Sequence, residues 1–237
     1  MKNNLKLGKE IGKGRTAEIY EWSEGKVIKL FYKEFSEAVD SEYQINLKVQ
    51  DVYTNVPRAY DKMEIDGRQG IIYEYIEGKT LVEIATTKPF LVVKEMKEFT
   101  KLHAEMHKCT INGLSDINSD LRYILSKSKY LDKNQKEILL AKLEKMTSGN
   151  ALCHMDYHPD NIMKTEKGLI VIDWITAGIG NPHADIARTL YILKRGSPVS
   201  DLSIITKLVI KIFQLFVSRI YYKTYKKLTG IKRKDLK

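Results

Sequence analysis

His154-Met-Asp-Tyr-His-Pro-Asp-Asn161, followed by Ile162-Met-Lys164 and then Ile170-Val-Ile-Asp-Trp174, is the stretch on which the reading of this chain turns. Asp156 and Asn161 stand five residues apart in a loop interrupted by Pro159. Asp173 comes twelve residues after Asn161, beyond a hairpin that turns at Thr165–Gly168. Phosphoryl transfer needs a carboxylate to orient and deprotonate the acceptor hydroxyl, and oxygen ligands for the Mg²⁺ that accompanies a nucleotide. A loop Asp, a loop Asn and a strand-borne Asp supply these parts.

With these residues the chain resembles the aminoglycoside phosphotransferase and choline kinase family. Its signature is H-x-D-x-H-P-x-N, followed by a metal-binding Asp after a short hairpin. The resemblance implies an α+β, bilobal protein-kinase-like fold. A β-rich nucleotide-binding lobe with one helix would span residues 1–78. A mainly helical lobe over 79–237 would carry the catalytic loop and the acceptor site, with the cleft near Glu74–Gly78. It implies ATP, or GTP, as phosphoryl donor and Mg²⁺ as cofactor. Asp156 becomes the catalytic base, and Asn161 and Asp173 the metal ligands. His158 takes an orienting role, and Asp185, within Gly180–Arg188, braces the catalytic loop. Only eleven residues separate Asp173 from Asp185, too few for the long activation segment of a protein kinase.

The N-terminal region supports the resemblance separately. Ile11-Gly-Lys-Gly-Arg-Thr-Ala-Glu-Ile-Tyr20 looks like a nucleotide-covering loop, with Gly12, Gly14, Arg15 and Thr16 near the phosphates. Backbone N–H groups of a glycine loop approach phosphates closely. In the resemblance, Lys29 is the strand lysine that steadies the phosphates, and Glu42, thirteen residues on, is its ion-pair partner. Glu74 and Ile76 would hold adenine through a main-chain carbonyl and amide. His103 and His107 stand at i, i+4 with no third ligand beside them in sequence, which predicts a half-buried helix face.

The patterning around these landmarks predicts strands at Leu5–Lys9, Glu18–Trp22 and Val27–Phe31, and a helix over about 36–49. A hairpin at Lys62–Ile65 and Gly70–Ile76 follows, around Asp66-Gly67. Helices are expected at Lys88–Lys108, Asp116–Lys129, Asn134–Met146, Asp185–Lys194 and Asp201–Leu228, the last ended by Gly230.

Forty basic and thirty acidic residues give the 237-residue chain a net charge of +10. From Lys194 onward there are twelve Lys/Arg against Asp201 and Asp235, so the whole excess sits in the last 44 residues. Ile205, Leu208, Val209, Ile212, Phe213, Phe216, Val217 and Ile220 form one helical stripe there, predicting a helix packed on the C-terminal lobe with its lysines in water. Only weak nucleic-acid binding is expected of it, and its removal is expected to abolish folding. An acceptor that is a small molecule with a hydroxyl, an aminoglycoside or another alcohol, is the partner the motifs imply. The basic tail, short of acids for a polycation, weighs against aminoglycosides without excluding them, because acids from 112–144 could reach the site. The other class of function open to this sequence is a nucleotide- or anionic-partner-binding module with weak or no catalysis. The intact Asp156, Asn161 and Asp173 set speaks against it. Cys109 and Cys153 have no CxxC spacing and read as reduced thiols. The first residues lack the apolar run of a signal peptide, and no stretch approaches 18 apolar residues, so a cytoplasmic protein without membrane spans is expected.

Overall fold

The computed structural model describes residues 7–196 and 202–236. Along the chain run β1 (Glu10–Lys13), β2 (Ala17–Ser23), β3 (Lys26–Phe31), α1 (Ala38–Val52), β4 (Ala59–Ile65), β5 (Arg68–Glu74), β6 (Lys79–Thr80), α2 (Leu81–Thr87) and α3 (Val92–Met106). Then come α4 (Ile117–Lys127), α5 (Lys133–Glu144), β7 (Ala151–Cys153), β8 (Ile162–Thr165), β9 (Gly168–Val171), β10 (Gly178–Gly180), α6 (Pro182–Arg195) and α7 (Ile204–Thr229). They form two compact units. One runs through Thr80 and takes in Ile162–Ile175; the other comprises Leu81–Asn161 and the chain from Thr176 on. The hairpin β8–β9, counted with the helical lobe in the sequence reading, groups with the N-terminal strands.

In the first unit, five antiparallel strands lie in the order β1-β2-β3-β5-β4. Strand periodicity of two divides β3 between two cores. Phe31 faces the core that α1 covers through Val39, with Ala17, Ala59 and Ile71. Ile28 and Leu30 face the opposite core with Ile65 and Ile72. Lys29, two residues before Phe31, shares its face and is therefore on the α1 side. On α1 the buried residues are Val39, Glu42, Asn46 and Val49, one stripe at helical spacing that aims Glu42 at the sheet. Asp66 and Gly67 both adopt positive φ (51° and 73°), as a two-residue type I′ hairpin turn between β4 and β5 requires. A second small sheet has the order β6-β8-β9.

The expected first strand is displaced. Leu5 and Lys6 lie outside the described residues, and Leu7–Lys9 are irregular, with β1 beginning at Glu10. Gly8 N–H still donates to Glu21 C=O, and Lys9 C=O accepts from Glu21 N–H, so the segment follows β2 without a regular ladder.

The second unit is built on α3, which buries Val92, Met96, Phe99, Thr100, His103 and Met106. Helices α6 and α7 complete its core, and β7 pairs antiparallel with β10. Helix α4 is capped by Asp116, whose carboxylate accepts from Ser119 N–H. Helix α5 begins in a capping box of Asp132 and Gln135. Gly230, at φ 77°, ends α7 in the left-handed cap expected of it. The start of the helix expected at Asp201 lies outside the described residues.

The stripe on α7 does not pack as expected. Val217, Ser218, Tyr221 and Tyr225 are buried, but Ile204, Ile205, Leu208, Val209, Ile212, Phe213 and Phe216 are exposed. A period of 3.6 identifies residues that share a face; it does not say how far along the helix a neighbour covers that face. Among the described residues, no helix is long and apolar enough to cross a membrane.

Candidate active site

In the first unit, the β3 lysine meets two carboxylates. Lys29 Nζ lies 2.8 Å from Glu42 Oε1 and 3.1 Å from Asp173 Oδ1. Tyr73 Oη, on β5, donates to the same Glu42 oxygen at 3.0 Å. Glu42 is buried, whereas Asp173, expected on a strand, is exposed two residues past the end of β9 and holds φ at 63°. Burial alone would lower the Lys29 pKa, but Glu42 and then Asp173 outweigh it and raise it. The lysine therefore stays charged, and Asp173 keeps Oδ2 clear of that bond.

Gly12 and Gly14 lie where the covering loop is expected. A Cβ on either would come no nearer than 3.5 Å to protein atoms, so packing within the unit does not demand glycine at these positions. Arg15 and Thr16 form the bend, and Thr16 C=O accepts from Tyr32 N–H. Glu18, one strand residue on, binds Arg68, Lys13 and Tyr20, fixing the base of the loop. Glu74 ends β5, its carboxylate accepting from Arg58 N–H, and Ile76 sits in the irregular stretch before β6.

In the second unit, Asp156 lies in the loop after β7. Its N–H donates to His154 Nδ1 at 3.2 Å, and its C=O accepts from Asn161 Nδ2 at 3.1 Å. Neither bond uses the carboxylate. That group faces His158 Nε2 at 3.6 Å and Arg188 Nη2 at 3.7 Å. The His158 ring is the main cause of a lowered Asp156 pKa, which partial burial opposes. Asn161 spends its amide NH₂ on the loop, which leaves Oδ1 as its oxygen donor.

The residue before the base carries strain. Met155 adopts φ 61°, a left-handed conformation uncommon for non-glycine residues. It is clamped at both ends: its N–H donates to Asp185 Oδ1 at 3.0 Å, and its C=O accepts from Arg188 Nε. Asp185 Oδ2 also accepts from His154 N–H at 2.6 Å. Sequence spacing gives Arg188 no site role and leaves His103 and His107 without a third partner. Here Arg188 reaches Asp156 itself, and both histidines reach Asp185, at 3.1 and 3.2 Å. No signal within one short segment shows these contacts, because the partners lie on α3 and α6.

Burial, then the neighbouring His107, lowers His103 to about 4. An unfolded chain takes up that proton near pH 6.5, whereas the folded chain refuses it down to about 4. This contribution to stability is therefore present above pH 6.5 and is lost as pH falls through that window. The loss totals about 3 kcal/mol. Urea unfolding between pH 7 and 4 is expected to show this decline, and His103→Gln to flatten it by about the same amount. An unchanged pH dependence in the variant would contradict the assignment.

Residues 9–203 match the model of the APH phosphotransferase enzyme family. The chain belongs to that family. Among curated proteins, none matches this phosphotransferase in sequence. Among solved structures, it is similar to an aminoglycoside-3'-phosphotransferase of type VIII, with TM-score 0.61, 16% identity, and 98% of this chain and 90% of that one covered. It is also similar to the aminoglycoside phosphotransferase APH(3'')-Id from Streptomyces rimosus, solved with ADP and streptomycin, with TM-score 0.60, 12% identity and coverage of 99% and 90%. A choline/ethanolamine kinase family protein from Mesorhizobium loti matches at TM-score 0.53 and 13% identity, over 94% of this chain and 69% of that one. At these identities the likeness establishes the fold, which is protein-kinase-like, α+β, as the H-x-D-x-H-P-x-N resemblance implies.

Proposed function

We propose that this phosphotransferase moves the γ-phosphoryl group of ATP, or GTP, to a hydroxyl of a small molecule, with Asp156 as the general base. The observation that carries the reading is the Asp156 carboxylate. It is held ionised by His158 and Arg188, while its loop is fixed through backbone bonds that leave its oxygens available. A base of this kind accepts the hydroxyl proton as the oxygen attacks phosphorus and the bond to the nucleoside diphosphate breaks.

Lys29, positioned by Glu42, neutralises phosphate oxygens, and the N–H groups around Gly12, Gly14, Arg15 and Thr16 cover them. Glu74 C=O and Ile76 N–H take the base. Asn161 Oδ1 and the Asp173 carboxylate are hard oxygen donors of the sort Mg²⁺ prefers. The ion, when bound, offsets the charge of the phosphates. His158 and Asp185 keep the catalytic loop in place. The relative solved with ADP and streptomycin supports a nucleotide donor and a hydroxylated acceptor.

The acceptor we favour is not a polycation. Of the five acids of 112–144, Asp116 and Asp132 are helix caps, Asp120 accepts from Ser115 and Glu144 pairs with Arg122, which leaves Glu137 as a single carboxylate for a cationic acceptor. We place the reaction in the cytoplasm, where nucleoside triphosphates and free thiols such as Cys109 and Cys153 coexist. A screen of hydroxylated metabolites and antibiotics with ATP and with GTP, followed by mass spectrometry, tests the reading. At least one compound is expected to gain a phosphoryl group. Nucleotide binding with no transfer to any compound or to water would favour a binding module instead.

A further inference from the structure

Helix α7 reaches the catalytic loop through a chain of side chains that no single motif contains. Tyr221 Oη lies 2.7 Å from His103 Nδ1, and His103 Nε2 lies 3.1 Å from Asp185 Oδ2. One turn along both helices the pattern repeats: Tyr225 Oη is 2.7 Å from His107 Nδ1, and His107 Nε2 is 3.2 Å from the same Oδ2. Tyr221, His103 and Asp185 are fully buried.

The chemistry fixes the direction of every proton in this chain. Asp185 stays ionised: burial opposes this, but His103, His107 and the bonds they make hold it well below the usual carboxylate range. An ionised carboxylate only accepts, so each Nε2 that bonds to it must be an N–H donor. His103 is neutral at physiological pH, so its Nδ1 is then an acceptor, and the partner of that nitrogen must be an O–H donor. Tyrosine is such a donor. The stacking of His103 on Tyr157, with centroids 3.8 Å apart, holds the ring plane but is indifferent to the position of its proton. Tyr221 is the group that chooses.

We propose that Tyr221 is a positioning residue for phosphoryl transfer, locking His103 as the Nε2–H tautomer so that Asp185 can hold the strained His154–Met155 backbone. If His103 carried its proton on Nδ1, a lone pair would face Asp185 Oδ2 at 3.1 Å. Asp185 would turn away, and the N–H groups of His154 and Met155 would lose their common acceptor. Met155, at φ 61°, would then relax and Asp156 would move with it. Tyr225 and His107 repeat the arrangement at the same oxygen, which also accepts from His154 N–H. This places the C-terminal helix within the support of the catalytic loop. The role of Asp156 in it rests on the function proposed above; the proton positions do not.

The test uses the full chain and two readouts. Long-range ¹⁵N–¹H NMR of the histidine rings is expected to show His103 neutral with its proton on Nε2. Tyr221→Phe is expected to shift that ring toward the Nδ1–H form and to weaken hydrogen-exchange protection at the His154 and Met155 amides. ATP hydrolysis with water as the acceptor is expected to fall roughly ten- to a hundredfold, as small misplacements of a catalytic group do, with KM for ATP little changed. Gln places an N–H where Nε2 was and has no tautomer to choose. In a His103→Gln background, Tyr221→Phe should therefore change the rate less than twofold, a coupling that lost packing alone does not give. An Nδ1–H ring or an imidazolium at His103 in the wild type would overturn the inference. So would stoichiometric zinc bound through both Nε2 atoms, or a Tyr221→Phe effect that persists in the Gln background. A wild type with the stated tautomer and amides but no ATP turnover would instead contradict the phosphotransfer reading.

Discussion

Asp156→Asn is expected to bind ATP as the wild type does and to lose roughly 10²–10⁴-fold in phosphoryl transfer. The loop should survive the change, because the bonds that shape it use the Asp156 N–H and C=O, to His154 and from Asn161, and not its carboxylate. Asparagine keeps the volume and loses the base. His158 and Arg188 then face a neutral amide, and Arg188 cannot replace the proton acceptor, since the guanidinium carries no lone pair to offer. Activity within a few-fold of wild type would remove Asp156 from the role assigned to it. The rate of the wild type should also fall only at acidic pH. The base form of a group whose pKa is lowered persists until the pH drops through that lowered value. His158→Ala, by removing the main cause of the lowering, should move this limb to higher pH.

Asp173→Ala is expected to abolish the gain in ATP affinity that Mg²⁺ provides, a loss of about two orders of magnitude, or roughly 2.7 kcal/mol. Asp173 shares Lys29 with Glu42, so its removal also leaves the lysine with one carboxylate in place of two. Its φ of 63° adds a backbone consideration, because alanine tolerates that region less well than aspartate or asparagine. Asp173→Asn separates the two effects: it keeps the conformation and an oxygen but loses the charge. Calorimetric titration of ATP with and without Mg²⁺ should show little Mg²⁺ enhancement in the alanine variant and a partial one in the asparagine variant. Full enhancement in both would rule out a metal role for Asp173.

Lys29 and Glu42 were legible in the sequence through the family resemblance, and the structure supplies the physical reason. Lys29 shares a face of β3 with Phe31, and a 3.6-residue repeat on α1 puts Glu42 in line with Val39, Asn46 and Val49. The spacing of Asp156, Asn161 and Asp173 is readable because one loop and one hairpin carry all three. What was not legible depends on distance along the chain. Arg188 meets Asp156 across 32 residues of sequence, and Tyr221 meets His103 across 118. Strands β7 and β10 are three residues each, too short for alternation to register. The exposed half of α7 is the reverse case, a strong pattern that the described residues leave largely uncovered.

Because the chain belongs to a phosphotransferase family, the most direct question is where the γ-phosphoryl group goes. ³¹P NMR of the purified full chain with Mg²⁺, ATP and an acceptor from the screen answers it in one spectrum. The account predicts a phosphomonoester resonance growing in step with ADP, and neither signal from Asp156→Asn. Inorganic phosphate alone alongside ADP, or an equal phosphomonoester yield from Asp156→Asn, would contradict it.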